Sequence, residues 1–204
     1  MKLKTILIIL LFTFHNVANG QSAHEASNIG KVGITISSLS NNDVTYFKDV
    51  VGSAGYNGKN FFSIGLNYIH PLKNWLEVET AVEYSEFTME VNPPFYPGIN
   101  NESYNTEVAL LDIPVTLRAN FLEYFYANSG VLLDIDVSNS NAIDDQSGIG
   151  GTFGVGAKYD LGFGASIFIN PYFKMHSIIP FSQEGSMHQR LTESAIRFGF
   201  TYQL

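Results

Sequence analysis

Residues 108–138 read VALLDIPVTLRANFLEYFYANSGVLLDIDVS, and their period of two decides the fold. Ala109, Leu111, Ile113, Val115, Leu117, Ala119 and Phe121 fall on one side of the first half, with Asp112, Thr116, Arg118 and Asn120 opposite. After Leu122-Glu123 the pattern resumes. Phe125, Ala127, Val131, Leu133, Ile135 and Val137 oppose Tyr126, Asn128, Gly130, Asp134 and Asp136. Alternation at this period is the signature of a strand with one apolar face, not of a helix. The stretch therefore predicts two long antiparallel strands, Val108–Phe121 and Tyr124–Ser138, joined by a tight turn. Both exceed the five or six residues common in soluble sheets, and suit the ~9–11 residues that cross a bilayer at a tilt.

The same period extends in both directions. It predicts further strands over Gly30–Ser38, Phe61–His70, Trp75–Val91, Gly148–Tyr159, Phe163–His176 and Thr192–Leu204, making eight. The connections alternate in length. Leu39–Asn60, Asn92–Glu107, Asn139–Ser147 and Ser177–Leu191 are long, while Pro71–Asn74, Leu122–Glu123 and Asp160–Gly162 are short. Short periplasmic turns alternating with longer extracellular loops are the pattern of transmembrane barrels, and an even strand number puts both termini on the short-turn side. The expected fold is all-β: an eight-stranded antiparallel up-and-down transmembrane β-barrel.

Composition agrees. Charged residues are 15% of the 204, below the roughly 25% of a soluble domain, and aromatics are 14%. The formal net charge of −8 offers nucleic acid no basic patch. The absence of cysteine excludes disulfides, thiolate metal sites, a cysteine nucleophile and a lipoprotein anchor. Lys2 and Lys4, an apolar run from Ile6 to Phe14 and Ala18-Asn19-Gly20 before Gln21 read as a secretory signal peptide over 1–20 that is cleaved. A short periplasmic segment, 21–28, is expected next, then the barrel domain, 29–204. No later run approaches the ~18 apolar residues of a spanning helix, so a membrane-embedded chain must be a closed barrel.

Parity does not say which face points out. A soluble ligand-binding barrel, such as a lipocalin, would turn its apolar face inward and be secreted; a membrane barrel does the reverse. Three features favour the membrane. Gly33, Gly65, Gly130, Gly150, Gly154, Gly156, Gly164 and Gly199 lie on the polar face, where a narrow interior must mix large and small residues. That face carries both signs of charge: Glu77, Glu79, Glu83, Asp112, Asp134 and Asp136 against Lys31, Arg118, Lys158, Lys174 and Arg197. All of these but Lys31 form the candidate lumen charge network, in which Arg118 is expected to pair with one or two of Glu77, Glu79 and Glu83 on the neighbouring strand, foremost Glu79 or Glu83. Tyr68, Tyr84, Phe121, Phe125, Tyr159, Phe163 and Phe173 sit on the apolar face as candidate girdle residues. Glu86 breaks the apolar face near a long loop.

Leu110-Leu111-Asp112-Ile113-Pro114-Val115-Thr116-Leu117-Arg118, followed by the glycine-bearing strand Tyr126–Leu133, resembles the Leu-x-Ile-Pro-apolar strand of the Bacteroidetes-type outer-membrane β-barrel family, the group that includes PorT-like proteins. The architecture is similar to OmpA/OmpX-type barrels. Phe198-Gly199-Phe200-Thr201-Tyr202-Gln203-Leu204 resembles the family's closing strand, with Leu204 where phenylalanine is usual. The resemblance implies an outer-membrane location, contact with outer-membrane lipids and recognition by the barrel-assembly machinery. It implies no shared activity. Pro114, unusual within a strand, points to a local bulge.

Candidate chemistry is weaker. His176 and Ser177 are expected at the rim of a long loop, with Glu184 and His188 nearby, the residue types of a lipid-modifying outer-membrane hydrolase or acyltransferase. Their spacing specifies no triad, and rim polar residues are the plainer reading. Asn139, Asn141, Asp144 and Asp145 match no calcium loop and read as turn formers. Gly148–Gly154 lacks the Lys-Ser/Thr and helix of a phosphate loop. Eight strands leave a lumen filled by side chains, so a salt-bridged plug is expected over a thin wet path. The reading is an integral outer-membrane protein with a structural or interaction role, no enzymatic activity, no cofactor or metal, and an envelope or extracellular partner that the sequence does not identify.

Overall fold

The computed structural model describes residues 29–47, 54–98, 101–138, 142–182 and 189–204. The signal peptide expected over 1–20 and the segment 21–28 lie outside them. Eight antiparallel strands form one closed ring in chain order: β1 (Lys31–Tyr46), β2 (Gly55–Lys73), β3 (Leu76–Asn92), β4 (Tyr104–Phe121), β5 (Phe125–Asp136), β6 (Gly148–Asp160), β7 (Ala165–Pro180) and β8 (Gln189–Gln203). β1 pairs with β8, which removes both sheet edges. β1 starts and β8 finishes at the short-turn rim, where Leu204 N donates to Gly30 O at 3.0 Å.

The facing is that of a membrane barrel. Ile34, Leu66, Val115, Leu117, Phe153 and Val155 point out and are about half exposed, between 47% and 67%. Their strand neighbours Thr35, Asn67, Thr116, Arg118 and Thr152 are buried inside. Tyr68, Trp75, Tyr124, Phe125, Tyr159, Phe163 and Tyr202 are exposed near the short-turn end, where they form the lower aromatic belt. Phe173 is not part of it: it packs on Phe153, ring centroids 5.6 Å apart, halfway up the wall.

Several strands are longer than their alternation predicts. β1 continues to Tyr46 through a bulge between Ser38 and Asn41, where Leu39 takes φ 55°. β2 begins at Gly55, six residues before Phe61, and β4 at Tyr104, four before Val108. Above the level of Ile36, Phe62, Tyr84 and Leu111 the wall reverses its polarity. Asp43, Asn60, Glu86 and Glu107 point outward, while Val44, Phe61, Phe87, Met89, Val108, Leu110 and Leu191 are buried inside. The lower tier is thus apolar outside and polar inside, as lipid requires. On β2, β3 and β4 the upper tier turns polar outside and apolar inside, as water requires, while Val137 and Ile179 keep the β5–β7 side apolar. Glu86 lies in the upper tier, which is why it breaks the apolar face of β3.

Two further expectations need correction. Pro114 causes no bulge. The β3–β4 register is the same on either side of it, from Thr80↔Val115 to Glu83↔Asp112, and Pro114 pairs with Leu132 in an unbroken β4–β5 ladder. Gly164 is not a strand residue on the polar face but a turn residue with φ 88° before Ala165, a conformation that favours glycine.

Candidate functional site

The lower lumen holds one connected ladder of charges. At its base Lys158 approaches Glu77 at 4.0 Å. Arg118 Nε lies 3.4 Å from Glu77, and its Nη1 lies 3.6 Å from Glu79. Arg197 reaches Glu79 at 3.4 Å and Glu83 at 3.3 Å. Lys174 bonds Glu83 at 2.6 Å and Asp112 at 3.3 Å. His176 Nδ1 then faces Asp134 at 3.1 Å and Asp112 at 3.8 Å, and its Nε2 faces Glu193 at 3.3 Å. Tyr172 Oη donates to the other Glu193 oxygen. Six strands, β3 to β8, contribute to the ladder.

Register explains who meets whom. β3 and β4 place Glu77 opposite Arg118 and Glu83 opposite Asp112. Arg118 therefore meets Glu77 and Glu79 rather than Glu83, whose partners come across the lumen from β7 and β8. The guanidinium also lies 3.5 Å from the centroid of the Tyr126 ring. Asn67 donates to Glu79 at 3.1 Å, and Arg197 donates to Asn170 at 2.9 Å.

Ten residues were named from the sequence as the lumen network. The structure brings nine of them together: Glu77, Glu79, Glu83, Asp112, Arg118, Asp134, Lys158, Lys174 and Arg197. Asp136 stands apart at the upper rim, where it accepts from Ser138 N and Gln146 N. Lys31, also on the polar face, pairs with Asp160 at the lower rim at 3.1 Å. Two members were missed. Glu193 was legible, because it shares parity with Arg197. His176 was expected at an exposed rim, yet it is wholly buried. β7 carries an irregularity between Met175 and Ile179 opposite Gly150, and Ser177 takes φ 46°, so His176 and Ser177 both turn inward.

The lumen is stoppered at both ends. Below, Tyr126 and Phe168 lie across the bore opposite Gly156 and Gly199, where a Cβ would collide with each ring. Above, the apolar tier closes the bore, and the β5–β6 connection folds over it. Ile143 joins the apolar cluster, and buried Gln146 bonds Gln189 O at 3.2 Å and Leu191 N at 2.9 Å. Asp145 accepts from Ser147 N two residues on, the turn-forming role expected of it, whereas Asp144 accepts from Gln189 N and ties the connection to β8. Asn139 and Asn141 lie outside the described residues. Tyr56 donates to Ala142 O at 2.7 Å, and burial pushes its phenol up to about 12.

The rim residues do not form a nucleophile and base. Ser177 Oγ donates to Ser147 O at 3.2 Å, while His176 gives both ring nitrogens to carboxylates. Glu184 and His188 lie outside the described residues. Gly148 to Gly154 belong to β6 and begin no helix.

No protein-family model and no curated protein matches the chain. Solved structures do. The solid-state NMR structure of the outer membrane protein AlkL in DMPC lipid bilayers superposes with a TM-score of 0.58 at 14% identity, covering 91% of this chain and 95% of that one. Ail, the attachment invasion locus protein of Yersinia pestis, solved with the heparin analogue sucrose octasulfate, is a looser match. Its TM-score is 0.45 at 11% identity, covering 86% of this chain and 99% of that one. The likeness to AlkL is one of fold: this chain is a transmembrane β-barrel of the outer-membrane type.

Proposed function

We propose that the protein is an integral outer-membrane barrel whose task is structural or interactive. On this reading it conducts nothing, and it projects a rigid, water-facing cup beyond the lipid. The reversal of wall polarity above Tyr84 and Leu111 carries the reading. A strand needs only ~9–11 residues to cross the membrane. β2, β3 and β4 have 19, 17 and 18, so several residues of each stand in water over a dry core. At ~3.3 Å per residue this lifts the loops well above the headgroups.

The tip of the β3–β4 loop is the best candidate contact surface. Phe95 and Tyr96 are 79% and 53% exposed beside Pro93, Pro94 and Pro97. Asn101 clamps the Tyr96 backbone from both sides, at 2.9 and 3.1 Å. Preformed exposed aromatics suit binding, because little entropy is lost when they are covered. The PorT-like resemblance of Leu110–Arg118 points to a Bacteroidetes-type envelope setting, with barrel-assembly machinery acting in biogenesis.

Because the chain lacks cysteine, single-cysteine labelling gives a clean test. A membrane-impermeant maleimide should label Phe95→Cys on intact cells and Leu122→Cys only after lysis. The purified barrel should run as a heat-modifiable band and give no steady conductance in planar bilayers. Sustained single-channel current, or recovery of the folded chain as a detergent-free periplasmic monomer, would overturn the reading.

A further inference from the structure

The ladder alternates in sign from Lys158 through Glu77, Arg118, Glu79, Arg197, Glu83 and Lys174 to Asp112, four cations against four anions. Beyond Asp112 the alternation fails. His176 stands among Asp112, Asp134 and Glu193, and all four are fully buried. Three carboxylates there share a single imidazole, so this fully buried upper end is short of positive charge. Burying one unpaired charge is already costly.

The orientation of these groups shows where the missing charge belongs. Each has one polar atom held by a partner and another turned inward. Asp112 Oδ2 accepts from Ser85 Oγ at 3.1 Å and Lys174 at 3.3 Å. Asp134 Oδ2 accepts from Ser177 N at 2.8 Å. His176 Nε2 faces Glu193 Oε2 at 3.3 Å. The remaining atoms, Asp112 Oδ1, Asp134 Oδ1 and His176 Nδ1, converge within 4.8 Å of one another. Asp112 Oδ1 is buried with no hydrogen-bond partner among the described residues. Nδ1 lies 3.1 Å from Asp134 Oδ1 and 3.8 Å from Asp112 Oδ1, so one cation placed among the three would meet all of them.

We propose that Asp112 Oδ1, Asp134 Oδ1 and His176 Nδ1 bind a divalent transition-metal ion of the zinc or manganese class inside the lumen. Two carboxylate oxygens and one imidazole nitrogen suit such ions, and Nδ1–oxygen distances of 3.1 and 3.8 Å are of the size that bonds of about 2.0–2.2 Å to a shared ion would span. Glu193 behind His176 supplies the carboxylate–histidine–metal arrangement that orients an imidazole ligand. Gly150 makes the room, since a Cβ there would come within 2.7 Å of Asp134 Oδ2. Phe87 packs edge-on to His176 beneath the apolar tier, so the ion is structural and enters during folding.

The test uses the whole barrel, unfolded in urea with chelator and refolded in detergent with Zn²⁺, Mn²⁺, Co²⁺ or Mg²⁺. The expected result is about one Zn²⁺ or Mn²⁺ retained per chain, and a higher melting temperature of the folded gel band than in chelator. Co²⁺ should give visible d–d absorption, and Mg²⁺ should do little. Asp112→Asn should abolish retention, whereas Asp144→Asn, above the cluster, should leave it intact. If Asp112→Asn fails to fold, Glu193→Gln serves instead: it keeps all three ligands and should weaken binding about 10–100-fold. A parent barrel that retains no ion and melts alike in every ion and in chelator overturns the proposal. So does retention that is lost in Asp144→Asn.

Discussion

Replacing Arg118 by methionine probes the ladder at its most connected cation. The Arg118 side chain is 2% exposed, between Glu77 at 3.4 Å, Glu79 at 3.6 Å and the Tyr126 ring. Removing one member of a buried pair generally costs about 3–5 kcal/mol, because the other charge is stranded. Here the stranding is unequal. Glu79 keeps Arg197 and Asn67, whereas among the described residues Glu77 keeps only Lys158 at 4.0 Å, and Glu77 sits at the more open lower end with 13% exposure. The cost should therefore fall near the low end, about 3 kcal/mol. Lys174→Met removes the lysine that Glu83 and Asp112 share in a fully buried layer, leaving Glu83 with Arg197 and Asp112 with Ser85 and His176, and should cost about 5 kcal/mol. Equilibrium unfolding in urea with detergent micelles measures both. Arg118→Met combined with Glu77→Gln should recover part of the loss. An Arg118→Met barrel within about 0.5 kcal/mol of the parent, with no coupling to Glu77, would show that water rather than pairing solvates these charges.

Other outcomes follow from the two tiers. Val115→Arg, on the lipid face, should cost about 2–4 kcal/mol and hinder assembly, whereas Glu86→Lys, outside but above the lipid, should stay within about 0.5 kcal/mol. Phe87→Ala, in the dry upper core, should cost about 3–5 kcal/mol in the same urea assay without changing membrane insertion. Gly199→Ala drives a Cβ into the Phe168 ring and should destabilise by about 1–3 kcal/mol, an effect that Gly199→Ala with Phe168→Leu relieves. A lipid-confined photoprobe stepped along β3 should mark Val82 and Tyr84 but not Glu86 or Thr88. Marking of Glu86 would place the polarity reversal elsewhere.

Period-two alternation made all eight strands legible, and it sorted nearly every lumen charge onto the right face. Sequence reading lost the strands where the environment changed without a change of period. Phe87 and Met89 continue the inward parity of Glu83 and Ser85, yet they switch from polar to apolar, because the outside switches from lipid to water. A rule that expects one apolar face per strand ends β2 and β4 at that level. The β7 irregularity was hidden for a different reason. Nothing local to Met175-His176-Ser177 forces it; it is a pairing mismatch against β6, and pairing is not visible in one strand. The partners of Arg118 depended on register in the same way. Glu77, Glu79 and Glu83 share a face, and only the hairpin alignment decides which of them stands opposite.

A lumen filled with leucine would have packed as well as this one, so the charges need another reason. Strands apolar on both faces would be prone to aggregate before assembly, whereas one polar face keeps each strand amphipathic. Polar residues inside must then find partners, and the partners here are not all neighbours in the sheet. Glu79 and Glu83 on β3 meet Arg197 on β8 and Lys174 on β7, strands with which β3 makes no ladder. A one-residue slip anywhere in the ring would turn an acid or a base toward lipid. A two-residue slip would keep the facing but set Glu83 against Pro114 instead of Asp112. The cross-lumen pairs therefore discriminate against misregistered closure, which hydrocarbon packing alone would tolerate. The apolar upper tier needs no such selection, because it stands in water, where burial drives its collapse.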